Sequence, residues 1–153
     1  EDCWVRLQHA DIIKAFIYQE KYNPKISLRR FKLILKALKP SLGYDETNLG
    51  IAISAFDASL WAETKKYLEK IKKENWDTRV IDLWKKLSLK TSKLEIPKLP
   101  EKNIPEIKWK CSECNHESVE WKISCDNCNA VATIFWPKSD LTVKRDNLFK
   151  SFF

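Results

Sequence analysis

The chain contains no methionine, two histidines and only two glycines in 153 residues. So little glycine leaves few of the tight turns and bulges that a β-sandwich or barrel repeats along its length. No run of about 18 apolar residues occurs, so nothing in this stretch reads as a membrane-spanning helix. His9 and His116 are too few to suggest a histidine-based catalytic centre, and each is expected as a packing or surface residue. The sequence offers no nucleophile–base pair, phosphate-cradling loop or open metal site, and the expectation is a protein that is not an enzyme. Beginning at Glu1 with no methionine anywhere, the chain reads as a fragment of a longer protein. A missing signal or anchor here therefore says nothing of the whole.

What is abundant is apolar and basic. Hydrophobic residues make up 44%, enough for a core, and the net charge is +7 with a pI near 9.1. A basic chain can bind nucleic acid or anionic lipid. Here the lysines are spread along the chain and often stand beside glutamates, as in Lys65-Lys66-Tyr67-Leu68-Glu69-Lys70. That spread reads as solvated helix faces, and nucleic acid is not an expected partner. If the chain did bind single strands, Lys108, Lys110, Lys122, Lys138, Lys144 and Arg145 beside the ribbon tryptophans would carry the contact.

Residues 1–90 carry helical periodicity. Ile12, Ile13, Phe16 and Ile17 form one stripe, and Leu28, Phe31, Leu35 and Leu38 form a second. Asn23-Pro24 predicts the start of the second helix and Lys39-Pro40 its end. Asp45 or Thr47 is expected to cap a third helix through Ile51, Ala52, Ala55 and Phe56. A fourth comes next with Trp61, Thr64, Leu68 and Ile71 inward. Asp77 or Thr78 caps a fifth, with Val80, Ile81, Trp84 and Leu87 inward. Short connections imply antiparallel neighbours. Laying Ser27–Pro40 over Trp61–Glu74 matches Ile34 with Leu68 and Ala37 with Ile71, an offset close to the ~34-residue period of the tetratricopeptide repeat (TPR). Small residues such as Ala52 and Ala55 would let paired helices approach closely.

Residues 91–108 form a linker broken by Pro97, Pro100 and Pro105, which either separates the helices from the C-terminal residues or lies along one of them. Then comes a C-x2-C-x10-C-x2-C array of Cys111, Cys114, Cys125 and Cys128. Two cysteine pairs at this spacing read as a four-thiolate metal site, most simply zinc, with iron possible because tetrahedral thiolates accept it too. A four-sulfur shell leaves no open coordination position, so the ion is expected to hold structure. Its binding would supply folding free energy on the order of 10 kcal/mol. Asn115 and Asn129 come directly after the two knuckles, where the left-handed backbone region favours Gly and then Asn.

Disulfides fit the odd count of five cysteines poorly, and a thioredoxin-like pair would need a βαβ context. Cys111-Ser112-Glu113-Cys114-Asn115-His116 misses the haem-attachment motif by one residue. Cys3 is left without a role. Strands are expected at Ile107–Cys111, Ser118–Ser124 and Val131–Trp136, with Trp109, Trp121, Phe135 and Trp136 as the small core of a ribbon over residues 109–136. Residues 137–153 are a basic, then apolar, tail with Leu148, Phe149, Phe152 and Phe153. The expected fold is thus an all-α helical repeat of TPR-like antiparallel pairs plus a small C-terminal β zinc ribbon.

At this point residues become recognisable. Ser59-Leu60-Trp61-Ala62-Glu63-Thr64-Lys65-Lys66-Tyr67-Leu68-Glu69-Lys70 resembles the "LWGKARxYLE" helix of the bacterial HemY family and of its relative LapB. His9-Ala10-Asp11-Ile12-Ile13-Lys14-Ala15-Phe16 is similar to the HemY "HPDLAxAY" helix. The run from Trp109 through Cys111, Cys114, Trp121, Cys125 and Cys128 to Thr133-Ile134-Phe135-Trp136 resembles the cysteine-rich end of HemY-like proteins. LapB, which ends in a ribbon of the same spacing, is the close competitor. Ala62 stands where the family usually has Gly, and Asn115 and Asn129 where its knuckles often have Gly.

The resemblance implies an adaptor with protein partners on its TPR surface, among them haem-pathway enzymes. It also implies attachment to the bacterial inner membrane by an N-terminal anchor outside this chain, with the repeats on the cytoplasmic side. A LapB-like role would instead be regulation of lipopolysaccharide synthesis.

Overall fold

The computed structural model describes residues 9–17, 23–91, 95–100 and 107–137. Cys3, Pro105 and the apolar tail residues fall outside them. Among the described residues, five α-helices lead into a three-stranded antiparallel sheet: α1 Ala10–Ile17, α2 Pro24–Leu38, α3 Asp45–Asp57, α4 Trp61–Leu68 and α5 Thr78–Lys90, then β1 Trp109–Cys111, β2 Glu117–Ser118 and β3 Ile134–Phe135. Among the described residues no helix is long and apolar enough to cross a membrane.

The helix boundaries reflect local chemistry. Asn23 caps α2, its Oδ1 accepting from Lys25 N at 3.1 Å and Ile26 N at 3.4 Å, with Pro24 supplying a preset φ in the first turn. The helix ends at Leu38, where Lys39–Ser41 tightens into a 3₁₀ turn around Pro40. Asp77 caps α5 by accepting from Arg79 N at 3.0 Å and Val80 N at 3.3 Å. The expected cap of α3 fails: the capping position is Tyr44, with no side-chain bond, and Asp45 is already helical. Asp45 instead accepts from Asn75 Nδ2 at 2.6 Å, and Thr47 donates to Ser41 Oγ at 3.1 Å. Both side chains tie α3 to neighbouring turns rather than to its own first amides.

α3 is the centre of the helical unit. Every residue from Glu46 to Ala52 is buried, as are Ser54 and Ala55, and the helix packs against α1, α2, α4 and α5. Contact on all sides requires small side chains, and Gly50, Ala52, Ser54 and Ala55 supply them. Around α3 gather Phe31, Ile34 and Leu38 of α2, Leu68 of α4, and Ile81, Trp84 and Leu87 of α5.

The buried stripe of α2 is Ser27, Phe31, Ile34 and Leu38, so Leu28 lies exposed and Leu35 only half-buried. Phe16, expected inward, is 54% exposed, since α1 buries Ala10 and Ile13. Both corrections amount to a rotation of the stripe by about one residue, which periodicity alone resolves poorly in Leu- and Ile-rich helices. Ile96 and Leu99 of the linker pack on the helical core, so this segment lies along the helices.

The ribbon is smaller than expected. β1 is the central strand, with Trp109 opposite Ser118, Lys110 opposite Glu117 and Phe135, and Cys111 opposite Ile134. Residues 119–123 form no strand, and beyond them only an isolated Ser124–Val131 bridge continues the pairing. Trp121 is 44% exposed and Phe135 is half-buried, so neither is core. The buried set is Trp109, Cys111, Cys125, Ile134 and Trp136.

Trp109 and Trp136 face the helices. The His9 ring lies 4.8 Å from Trp109 and meets Trp136 edge-on at 4.2 Å. Trp136 Nε1 donates to Glu46 Oε1 at 2.9 Å. Glu46 Oε2 also accepts from Ala10 N and from Arg79 Nη1, each at 3.1 Å, and Arg79 Nη2 reaches Glu46 Oε1 and Asp77 Oδ2. The Arg79 guanidinium stacks over the Trp136 ring at 4.7 Å. Burial works against the Arg79 charge, but Glu46 and then Asp77 outweigh it and raise its pKa.

Burial sets two expected outcomes. Leu68→Ala, at a fully buried position, should cost about 2–5 kcal/mol in urea unfolding, whereas Phe16→Ser should stay within about 0.5 kcal/mol. The second outcome concerns pH. Burial, then Arg79, lowers the His9 pKa below 6.5; Nδ1 accepts from Asp11 N at 3.1 Å and Nε2 lies 3.3 Å from the Arg79 guanidinium. Because the folded pKa is depressed, the stabilisation is complete above the unfolded value and is lost as pH falls through it. Between about pH 7 and about pH 5 the melting temperature should drop more steeply for the native chain than for His9→Gln.

Candidate metal centre

Two knuckles of the same design bring the four cysteines together. Asn115 N donates to Cys111 O at 3.0 Å and Asn129 N to Cys125 O at 2.9 Å, each closing a tight turn around one cysteine pair. Asn115 has φ 57° and Asn129 φ 58°, the left-handed conformation expected of them. The first knuckle is fastened by Cys111 N donating to His116 O and Ser112 N to Thr133 O, both at 3.0 Å, and the second by Cys125 N donating to Ala130 O at 2.9 Å. His116 thus contributes its carbonyl to the first knuckle.

The sulfurs of Cys111, Cys114, Cys125 and Cys128 all lie within 4.8 Å of one another. Across the knuckles, Cys111 Sγ is 3.7 Å from Cys128 Sγ, and Cys114 Sγ is 3.6 Å from Cys125 Sγ. Four sulfurs placed tetrahedrally about 2.3 Å from one ion would be about 3.8 Å apart. A disulfide would need about 2.05 Å, and the four thiols are unlinked. The donor set therefore fits one tetrahedral thiolate-bound ion. Cys111 and Cys125 are buried, Cys114 is half-buried and Cys128 is exposed.

The sulfurs differ in how readily they ionise. Thr133 Oγ1, 3.3 Å from Cys111 Sγ, leads in pulling the Cys111 thiol down to about 6. Cys114 is lowered, first by the Asn127 side chain. At Cys128 the Ala130 amide favours the thiolate, but desolvation and the sulfurs of Cys114, Cys111 and Cys125 outweigh it and push the thiol up to about 12. So compact a cluster cannot carry four negative charges by itself, and a bound cation is what would allow full ionisation.

The sequence anticipated that the four cysteines would be gathered together, and both Asn knuckle ends. It gave no warning of Glu46 and Arg79, which carry the contact between ribbon and helices. The one local hint was Glu46 lying next to a run of small and apolar residues on the same helix. A second feature was also unforeseen: a groove of about 670 Å³ between α1, α3 and α5. Its lining is mixed, with apolar Ile17, Ile53, Phe56, Trp61 and Leu83 beside charged Lys14, Asp57, Arg79, Asp82, Lys86 and Lys90.

No family model, curated protein or solved structure matches the chain. Metal analysis of the purified protein should find one ion per chain, and Cys125→Ser should lose it under the same dialysis. Because every ligand must shed its proton, loading should weaken steadily as pH falls. A Cys125→Ser protein that retained one ion per chain would contradict the four-sulfur assignment.

Proposed function

We propose that this chain is a protein-interaction adaptor of the HemY type, built from TPR-like helix pairs and a structural zinc ribbon. The observation that carries the reading is the groove between α1, α3 and α5, lined by both apolar and charged side chains, which suits a segment of another polypeptide. The order of helix contacts supports the repeat. α1 touches α2 and α3, α3 touches α4 and α5, and α2 and α4 each touch the next helix along the chain. Stacking among nearest and next-nearest helices is the pattern of a solenoid. The ribbon and the Ile96–Leu99 segment would then be its cap.

Zinc suits the four-thiolate set as an ion that stabilises structure without redox chemistry. Iron would give a coloured protein, and zinc a colourless one. Reduced thiols fit the cytoplasmic face of the bacterial inner membrane, the location implied by the resemblance, with an anchor outside this chain.

Crosslinked capture from native membranes, with the full-length protein and its Cys125→Ser form, tests the reading. Recovery of haem-pathway enzymes by the native protein, weakened at least about tenfold in the variant, is the expected result. Recovery of lipopolysaccharide-synthesis factors instead would favour the LapB-like role. Capture of nucleic acid alone would overturn the adaptor reading.

A further inference from the structure

The ribbon is poorly equipped to fold on its own. Its strands are three, two and two residues long, and its buried cluster has five members, of which Cys111 and Cys125 are two of the ion's ligands. Without the ion, such a ribbon has neither a core nor a ladder able to hold it. Its remaining buried members include Trp109 and Trp136, and these are the two side chains that engage the helices.

Trp109 lies two residues before Cys111 on the same strand, and Trp136 comes directly after the strand that pairs with Cys111. The metal knuckle and the docking surface are therefore one piece of backbone.

On the helical side, the same contact holds the start of α1. His9, immediately before the helix, is buried against both tryptophans, and Ala10 N is bonded to Glu46 Oε2. Glu46 Oε1 takes the Trp136 indole, and Arg79 of α5 bonds the same carboxylate while lying over the indole ring. Losing Trp136 would remove one donor from Glu46, expose the Arg79–Glu46 pair to water and free the His9 ring. α1 and Arg79 also line the groove.

We propose that the ribbon is a metal-held latch: occupancy of the Cys111–Cys114–Cys125–Cys128 site controls the order of α1 and of the first turn of α5 through Trp136, Trp109 and His9. Metal loss is thereby transmitted from the sulfurs to the groove. The latch does not depend on which partner the groove takes.

Hydrogen–deuterium exchange of the full chain, metal-loaded and then stripped with a chelator, tests it. Stripping should accelerate exchange in residues 10–17 and 78–81 by about tenfold or more, together with the ribbon, while α4 keeps its protection. A second protein, Trp136→Phe with its metal retained, separates the latch from general unfolding. It should show faster exchange in residues 10–17 with the knuckles still protected. If stripping melts the ribbon and residues 10–17 exchange at their original rate, the latch does not exist. Unchanged exchange of α1 in metal-loaded Trp136→Phe would likewise overturn the route through the indole.

Discussion

One buried carboxylate organises this molecule. Glu46 sits on the central helix and is shared by the Ala10 amide at the start of α1, the Arg79 guanidinium of α5 and the Trp136 indole of the ribbon. Three separate stretches of chain converge on the two oxygens of a fourth. A carboxylate withdrawn from water this far is tolerable only when its charge is balanced and its lone pairs are occupied. Arg79 supplies the balance and is itself steadied by Asp77, which also caps α5. Deleting one member of such a pair commonly costs about 3–5 kcal/mol, because the other is left buried and unpaired. The arrangement is therefore stringent: it tolerates the ribbon in one pose and penalises its absence.

The two halves of the chain solve the folding problem differently. The helices gather a continuous apolar core around α3, whose small residues let four neighbours close in. The ribbon buries five residues and gathers four sulfurs within 4.8 Å, a set that a bound cation would reconcile. Its tryptophans, useless as a core of their own, become the adhesive to the larger half. Burial of an indole with its N–H satisfied is among the more stabilising contacts a small module can make.

Much of this was legible in the sequence, unevenly so. Cys111, Cys114, Cys125 and Cys128 declare themselves because metal geometry constrains spacing as well as residue type, and Asn115 and Asn129 are dictated by the same turn. Asn23-Pro24 and Asp77 mark helix starts because capping is a local interaction. The roles of Asp45 and Thr47 were misread for the complementary reason: α3 is surrounded, and tertiary partners took its polar side chains. Trp121 was misplaced because an aromatic flanking a knuckle says nothing of which face the sheet presents. Glu46, Arg79 and His9 meet across as many as 70 residues of sequence, and no local pattern announces such a meeting.

The contact between His9 and Trp136 joins the first and last parts of the described fold at 4.2 Å. The path of the chain is thus closed into a ring whose clasp is a stacked, hydrogen-bonded cluster rather than a covalent link. Tension applied along the chain, whether from flanking segments or from a surface to which they are attached, would load that clasp before it reached the helices. The position of the indole puts the ribbon, rather than a helix, at that clasp.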